Sequence, residues 1–208
     1  MALTDYDRSV FVNCPFDADF QPIRDVIVFT IIDCGFIVRC ALESANSGEV
    51  RIEKIAKIIR DCRFGVHDIS RTELSANTGL PRFNMPFELG LFLGASRFGG
   101  ASQRTKNCLI LDSKPYRYQT FLSDIAGQDI CAHNNVPGEA IVQIRNWLAA
   151  NSPHAVLPGG KKIAEHYQKF QQDLPSLAGS ASCLPAELTF AELRNHIIVW
   201  VARSLITE

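Results

Sequence analysis

The feature that most constrains the fold is an alternation between short apolar runs and amphipathic segments. The apolar runs are rich in β-branched and aromatic residues, which is typical of buried strands. They cover residues 9–13, 36–38, 64–69 and 108–111, and residues 129–132 add a weaker run. The segments between them carry apolar residues at helical spacing. Strands that are apolar throughout and alternate with helices predict an α/β fold, with a parallel sheet of about five strands and helices on both faces.

The C-terminal part of the chain follows a different pattern. Residues 137–150 have helical spacing, and residues 151–160 contain two prolines and two glycines, which is typical of a linker. We therefore predict an α/β domain over residues 1–150, and a linker with a C-terminal helical extension over 151–208. Thr189 and Glu192 form a capping box at the start of the last helix. Its apolar face needs a partner, either the domain itself or a second copy of the chain, and comprises Leu193, Ile197, Val201 and Leu205.

Composition excludes several functional classes. The net charge is −1, so the chain lacks the basic excess that binding to a nucleic-acid backbone requires. The seven cysteines form no C-x-x-C pair, which argues against zinc and thioredoxin-type sites, and we expect no metal. Buried free thiols suit a reducing compartment. With no signal segment and no run long enough to cross a bilayer, we expect a cytoplasmic protein without membrane contact.

Residues 82–95 contain the first candidate for catalysis. Glu88 is the single ionisable group in an apolar run that follows Asn84 and Pro86. Asn84 is the expected N-cap of a helix, with Pro86 and Glu88 in its first turn and apolar residues on all sides. A buried carboxylate is costly unless it is paired, hydrogen-bonded or used. Glu88 is therefore either a catalytic carboxylate or part of a structural ion pair with an arginine.

The ends of the predicted strands supply further candidates. Ligands of parallel sheets bind beyond the carboxyl ends of the strands. That rim is expected to hold Asn13, Phe16, Asp17, Arg39, Glu43, Asp68, Ser70 and Glu88. Asp68 is a candidate substrate contact because it should converge with Glu88, although an aspartate at a strand end often only caps a loop. His67 should face the side of the sheet opposite Asp68. The remaining histidines show no ligand spacing, and G-x-S-x-G, G-x-G-x-x-G and Walker A sequences are absent.

Four segments in order suggest a family. Residues 84–90 resemble the Asn-x-x-x-Glu-Leu-Gly motif of the nucleoside 2-deoxyribosyltransferase-like proteins, which are structural relatives of TIR domains. Residues 11–16 are similar to their first strand with its trailing Pro-Phe, and residues 52–61 to the helix before the third strand. Residues 65–70 are similar to the strand that ends in an aspartate. The resemblance covers roughly residues 8 to 135, and it implies a flavodoxin-like, TIR-like fold.

The resemblance also implies an activity. In that family the glutamate of the motif, Glu88 here, acts at the anomeric carbon of an N-glycosidic bond. Asp68 would hold the substrate, and Asn13 and Phe16 would form the first-strand rim. The full set of expected substrate contacts is Asn13, Phe16, Asp17, Asp68, Ser70 and Asn84. TIR-type members cleave NAD to nicotinamide and ADP-ribose, many of them in prokaryotic anti-phage defence. We therefore expect an NAD hydrolase with NAD as substrate and no cofactor, a homo-oligomer, and a possible defence-system partner protein.

Some residues depart from the family pattern. Cys14, Pro15 and Phe16 stand where TIR domains have serine and tyrosine, and Pro86 replaces a common aromatic residue. The loop from residue 71 to 83 is longer than is usual in the transferases. Two alternatives therefore stay open at this stage: a nucleoside 2-deoxyribosyltransferase, and a non-catalytic module for nucleotide binding or assembly.

Overall fold

The computed structural model describes residues 4–74, 79–179 and 183–207. These residues form one five-stranded sheet in the order β2-β1-β3-β4-β5, in which every neighbouring pair is parallel. The strands are β1 (Ser9–Asn13), β2 (Ile37–Arg39), β3 (Phe64–Asp68), β4 (Asn107–Asp112) and β5 (Cys131–Ala132). The order 2-1-3-4-5 is that of flavodoxin-like folds. The predicted α/β class and the parallel sheet of five strands are confirmed, and β5 forms one edge of the sheet.

Helices connect and cover the strands. They are α1 (Asp5–Arg8), α2 (Gln21–Asp33), α3 (Arg51–Arg60), α4 (Asn84–Phe98), α5 (Pro137–Asn151), α6 (Gly160–Gly179) and α7 (Phe190–Thr207). Short 3-10 turns occupy Ala18–Phe20, Gln103–Thr105, Arg117–Thr120, Ser123–Ile125 and Pro185–Glu187. Among the described helices, none combines the length and the apolar character that crossing a membrane requires.

Alternation along β1 shows how the two faces of the sheet are divided. Val10 and Val12 belong to the larger core, which includes residues of α2, α5, α6 and α7. Phe11, between them, belongs to a second core formed with the isoleucines of α3 and with Phe92 of α4. The sheet therefore has α2 and α5 on one face and α3 and α4 on the other, because successive strand residues point to opposite sides.

The C-terminal helices form a further layer outside α2. The ring centroid of Phe29, near the middle of α2, lies 5.5 Å from that of Phe170 and 5.9 Å from that of Trp200. α2 is apolar on nearly all sides because it lies between the sheet and this layer. Three residues of the predicted apolar face of α7 join this core, so their partner is the domain itself; they are Leu193, Ile197 and Val201. Leu205 is exposed. The domain boundary after residue 150 stays a prediction.

Two helix ends have the structure that their sequence favours. Gly35 ends α2 with a φ of +81°, a left-handed conformation that side chains other than glycine rarely adopt. At the start of α7 the backbone N–H of Thr189 donates to Glu192 Oε2 at 2.8 Å. The N–H of Glu192 donates in return to Thr189 Oγ1 at 3.3 Å, so the capping box is confirmed.

The start of α4 corrects three expectations. Phe83, rather than Asn84, is the N-cap residue, and no side chain caps this end; Asn84 is the first helical residue and is exposed. Glu88 is consequently the fifth helical residue and lies in the second turn, beyond the first-turn amides that would favour its charge. The helix is also not buried on all sides. No described helix covers its outer face, and Phe87 and Phe98 are exposed there.

Candidate functional site

Asn13 ties the beginning of α4 to the carboxyl end of β1. It is 1% exposed, and its Nδ2 donates to the carbonyl of Met85, in the first turn of α4, at 2.9 Å. The same amide group lies 3.1 Å from His67 Nδ1. β1 and β3 are the two strands between which the chain changes its direction across the sheet, and ligands of this fold class bind at that point. Asn13 thus fixes the position of α4 at the expected ligand site.

His67 lies on the α4 side of the sheet, as its alternation with Asp68 predicts. Its ring centroid is 5.0 Å from that of Phe92 and 5.7 Å from that of Phe11. Because Nδ1 accepts from Asn13, the ring proton resides on Nε2. Burial, reinforced by the charge of Lys106, lowers the pKa of His67 to about 3, so the ring is neutral at physiological pH.

A close backbone approach accommodates this imidazole. Gly65 lies two residues before His67 on the same side of β3, and a Cβ there would lie 2.6 Å from His67 Nε2. It would also lie 2.9 Å from the ring of Phe92. Only glycine leaves room for both rings at this position.

Glu88 is a buried carboxylate on the stripe of α4 that faces α3. Leu91, Phe92 and Ala95, which follow it at helical spacing, pack against the isoleucines of α3. Glu88 is 5% exposed, and its carboxylate makes no hydrogen bond or ion pair within the ranges that the structure describes. Burial raises the pKa of its carboxyl group, and the charge of Arg51 at the start of α3 acts in the opposite direction. The structural ion pair with an arginine that was considered from sequence is therefore not formed among the described residues.

Asn13, His67 and Glu88, which we name the α4 site, share one property. Asn13 Oδ1 and His67 Nε2 are buried and have no hydrogen-bond partner in the described part of the chain. Their neighbours in α4 are Met85, one turn before Glu88, and Phe92, one turn after it. A buried polar atom without a partner costs about 1–3 kcal/mol. The α4 site thus contains a buried acceptor on Asn13 and a buried donor on His67 that the described residues leave unpaired, together with the buried carboxylate of Glu88.

Asp68, unlike Glu88, is hydrogen-bonded to neighbouring residues. It is fully buried, and its Oδ1 accepts the backbone N–H of Ser70 at 2.9 Å. Its Oδ2 lies 2.9 Å from Nε2 of His133, and Ser70 Oγ lies 3.1 Å from the same nitrogen. The backbone N–H of Asn135 donates to His133 Nδ1 at 3.0 Å, which places the ring proton on Nε2. Both carboxylate oxygens of Asp68 therefore already accept a hydrogen bond from the protein.

Asp68, Ser70 and His133 do not form a catalytic triad. A triad needs a histidine whose proton-accepting nitrogen faces the serine while the other nitrogen faces the aspartate. Here Ser70 and Asp68 both contact Nε2, which carries the proton, and Nδ1 is occupied by a backbone donor. The imidazole has no free basic nitrogen to activate the hydroxyl, and the arrangement is structural.

Arg117 connects the loop after β3 to the end of β4. Its Nε and Nη2 donate to Asp112 Oδ1 at 2.8 and 2.6 Å. Nη2 also donates to the carbonyls of Ile69 and Ser70 at 2.9 and 2.8 Å. The guanidinium carbon lies 4.9 Å from the ring centroid of Phe121. This bonding holds two neighbouring strand ends in place.

Sequence reasoning missed this arginine and its aspartate. Asp112 is the last residue of β4 and lies at the same rim as Asp68, so the rule that selected Asp68 would also have selected it. Burial raises the pKa of Asp112, and its bonds with Arg117 act against that rise. We name Asp68, Ser70, Asp112, Arg117 and His133 the β3–β4 cluster. Asp112 Oδ2 is the one atom of the cluster that is buried without a partner among the described residues.

The other predicted contacts lie elsewhere on the rim. Phe16 packs edge-on against Phe190 of α7, at 6.1 Å between centroids, and belongs to the core on the α2 side. The structure therefore does not bring it to Glu88, which lies on the opposite side. Asn84 is exposed beside Glu88 in α4 but makes no hydrogen bond within the described ranges.

Asp17 is engaged by its neighbours. It accepts the backbone N–H of Phe20 at 3.1 Å and so caps the short turn before α2. Its two oxygens also pair with Arg71 at 3.2 Å and with Arg82 at 3.4 Å. These two arginines belong to the loop between β3 and α4, of which residues 75–78 lie outside the described residues. Asp17 thus anchors both ends of that loop.

A cavity opens at this rim beside the β3–β4 cluster. It has a volume of about 250 Å³ and is lined by Phe20, Ser70, Arg71, Ser113 and Asn135, among others. Ser70 is the one predicted contact residue that lines it, and Glu88 lines none of the cavities described here. Within residues 4–74, 79–179 and 183–207, no three histidine, cysteine or acidic side chains come together as metal ligands would.

Comparisons of the chain with protein-family models, with curated proteins and with solved structures find no match. The resemblance to TIR-like proteins therefore rests on the quoted sequence segments, and membership of that family stays a prediction. The flavodoxin-like strand order is common to many functions. Function must be argued from the α4 site itself.

Proposed function

We propose that this protein is an N-glycosidic bond hydrolase of the TIR-like kind, which cleaves NAD to nicotinamide and ADP-ribose with Glu88 as its catalytic carboxylate. The observation that carries the proposal is that the Glu88 carboxylate is buried and has no bonding partner among the described residues. It is 5% exposed, has no bonding partner in the described chain, and belongs to a helix fixed at the carboxyl ends of β1 and β3. A carboxylate that is buried without structural use is a candidate for chemistry.

The chemistry requires a negative group in a dry site. The bond between ribose C1′ and the pyridinium nitrogen breaks, and its electron pair goes to that nitrogen, so nicotinamide leaves as a neutral molecule. Positive charge develops on C1′, and the Glu88 carboxylate stabilises it electrostatically or by forming a transient bond. Water then adds to C1′ and loses a proton, which completes ADP-ribose. Because Glu88 must be ionised, the rate should decrease as the pH falls through its raised pKa.

Two neighbouring residues take supporting parts in the proposal. Asn13 holds α4 through Met85 and presents the unused acceptor Oδ1, which suits a ribose hydroxyl. Asp68 shapes the rim through Ser70 and His133 rather than by free oxygens. A role in prokaryotic stress or anti-phage defence, a homo-oligomeric state and a partner protein belong to the proposal through the sequence resemblance alone.

The test is release of nicotinamide from NAD by the purified full chain, measured by chromatography. We expect turnover by the wild type and a loss of at least 100-fold in Glu88→Gln, which keeps the shape and removes the charge. Glu53→Gln is the matched control, since it makes the same chemical change on an exposed residue of α3. Circular dichroism must show that both variants are folded.

Three results would replace the proposal. Equal nicotinamide release by wild type and Glu88→Gln would remove Glu88 from the mechanism. Exchange of bases between two nucleosides, without hydrolysis of NAD, would identify a deoxyribosyltransferase. A rise in melting temperature with nucleotides, in the absence of any turnover, would identify a nucleotide-binding module.

A further inference from the structure

A second cavity lies along the free edge of β2, away from the α4 site. Its volume is about 690 Å³, within the range of small-molecule sites. Phe36 and Val38 form the wall on the strand side, and α7 supplies Ile198, Val201 and Leu205. Since α7 belongs to the C-terminal extension, the extension and the sheet edge build this cavity together.

The charged groups that line the cavity differ in how strongly they are bonded to other residues. Arg39 donates to both carboxylate oxygens of Glu43, each at 2.7 Å, so these two charges neutralise each other. Asp33 accepts from His166 of α6, with Oδ2 3.0 Å from its Nδ1. The negative groups of this cavity therefore already have close cationic or hydrogen-bonding partners.

Arg194 of α7 is bonded more weakly. Its Nη1 lies 3.4 Å from the carbonyl of Val38 and 3.7 Å from Glu43 Oε2. Charge-assisted hydrogen bonds of arginine are normally about 2.7–2.9 Å long. Its Nε is buried and has no acceptor in the part of the chain that the structure describes. A buried guanidinium donor without an acceptor is unfavourable. The Arg194 side chain is 22% exposed, so the rest of the guanidinium is open to an anion in the cavity that it lines.

We propose that this cavity binds a small amphipathic carboxylate, with its head group on Arg194 and its apolar chain between the edge of β2 and α7. The apolar wall residues account for the chain, and the planar donor set of arginine matches a carboxylate. Of the three arginines that line the cavity, Arg39 is neutralised by Glu43 and Arg8 pairs with Asp5 at 3.2 Å, so Arg194 is the one with a buried donor that no described residue satisfies, which favours a monoanion. The site is independent of Glu88, which does not line this cavity.

Isothermal titration of the full chain with octanoate tests the proposal. We expect saturable binding at one site, with affinity rising by about fourfold for each CH₂ from hexanoate to decanoate. Octanol and octyltrimethylammonium have the same chain and lack the carboxylate, so neither should bind comparably. Binding of octanol as tight as that of octanoate would overturn the assignment of Arg194, and no saturable binding of any carboxylate would overturn the site.

Two variants separate the head group from the chain. Arg194→Gln should weaken octanoate binding at least 10-fold, while Arg97→Gln, an exposed arginine of α4, should leave it unchanged. Ala202 lines the cavity and is exposed, so Ala202→Phe should fill the cavity and abolish binding without unfolding the chain. If Arg194→Gln does not fold, Ala202→Phe decides the question. Octanoate binding that persists unchanged in folded Ala202→Phe would refute the proposal.

Discussion

Asp68 and Glu88 are both buried carboxylates at the carboxyl end of the sheet, yet their surroundings differ. Asp68 belongs to the β3–β4 cluster, in which its two oxygens accept from Ser70 and His133. Glu88 belongs to the α4 site, and no described side chain or backbone group bonds it. The protein hydrogen-bonds the Asp68 carboxylate, whereas the Glu88 carboxylate has no bonding partner among the described residues. The difference shows that burial alone does not identify a functional acid, and the absence of a bonding partner is what makes Glu88 the candidate here.

The largest effect should come from breaking the β3–β4 cluster. Arg117→Ala removes the counter-ion of Asp112, whose side chain is 1% exposed, and leaves the carbonyls of Ile69 and Ser70 without their donor. We expect a loss of about 3–5 kcal/mol in the free energy of unfolding, measured with urea. Arg97→Ala, on the exposed end of α4, should change it by less than about 0.5 kcal/mol. Equal, small effects of both variants would mean that the cluster does not stabilise the rim.

A smaller loss should follow from Asp68→Asn. The new amide must direct its NH₂ group at either the Ser70 N–H or the proton on His133 Nε2, and His133 cannot change tautomer because Asn135 occupies Nδ1. We expect a loss of about 2 kcal/mol in urea denaturation. Asp124→Asn, an exposed aspartate, is the control. An Asp68→Asn protein as stable as the wild type would show that the hydrogen bonds of Asp68 are not needed for folding.

Asn13→Ala tests whether the position of α4 affects the stability of the protein and the proposed chemistry. It removes the bond to the Met85 carbonyl, so α4 loses its anchor to β1. We expect a loss of about 1–2 kcal/mol in stability and, if Glu88 is catalytic, a decrease in kcat as well. Asn146→Ala on the exposed side of α5 should affect neither. A stability loss with unchanged kcat would show that the position of α4 is not important for the reaction.

The smallest effect on stability, and opposite in sign, is expected for Glu88→Gln. Burial raises the pKa of Glu88 above its ordinary 4.5, so the folded protein holds this proton more tightly than the unfolded chain. The free energy of unfolding therefore decreases as pH rises from 4.5 through the folded pKa. Glutamine removes that decrease. The variant should be more stable than the wild type at pH 7.5, by less than about 1 kcal/mol, and should lose this advantage towards pH 4.

Urea denaturation of the wild type and of Glu88→Gln at pH 7.5 and pH 4 checks whether the variant is the more stable protein at the higher pH. Glu53→Gln, whose residue is exposed, should show no such dependence on pH. A wild type that is more stable than Glu88→Gln at pH 7.5 would mean that the Glu88 carboxylate has a stabilising partner, and the contrast with Asp68 would be lost.

Much of the fold could be predicted because local patterns determine it. The strand over residues 9–13, the end of α2 at Gly35 and the capping box at Thr189 each depend on neighbours in sequence. The alternation of His67 and Asp68 across β3 was also predictable, since it follows from strand geometry. The start of α4 was not, because Phe83 takes the N-cap position and shifts Glu88 into the second turn.

The partners at the rim could not be predicted. His133 reaches Asp68 and Arg117 reaches Ser70 across long stretches of chain, and no local spacing indicates such pairs. The expectation that Asp68 and Glu88 would act together depended on both being free, and only the folded chain shows that Asp68 is already bonded. Phe16 was expected at the substrate for a similar reason, although the extension gives it a partner in Phe190.

The enclosed position of α2 has a consequence for biosynthesis. Trp200, one of the rings that cover Phe29, is translated about 170 residues after it. At a translation rate of roughly 5–20 residues per second, Trp200 is added about 10–30 s after Phe29. During that interval the outer face of α2 is an exposed hydrophobic surface on the nascent chain. Chaperones that recognise such surfaces should bind it until α6 and α7 emerge.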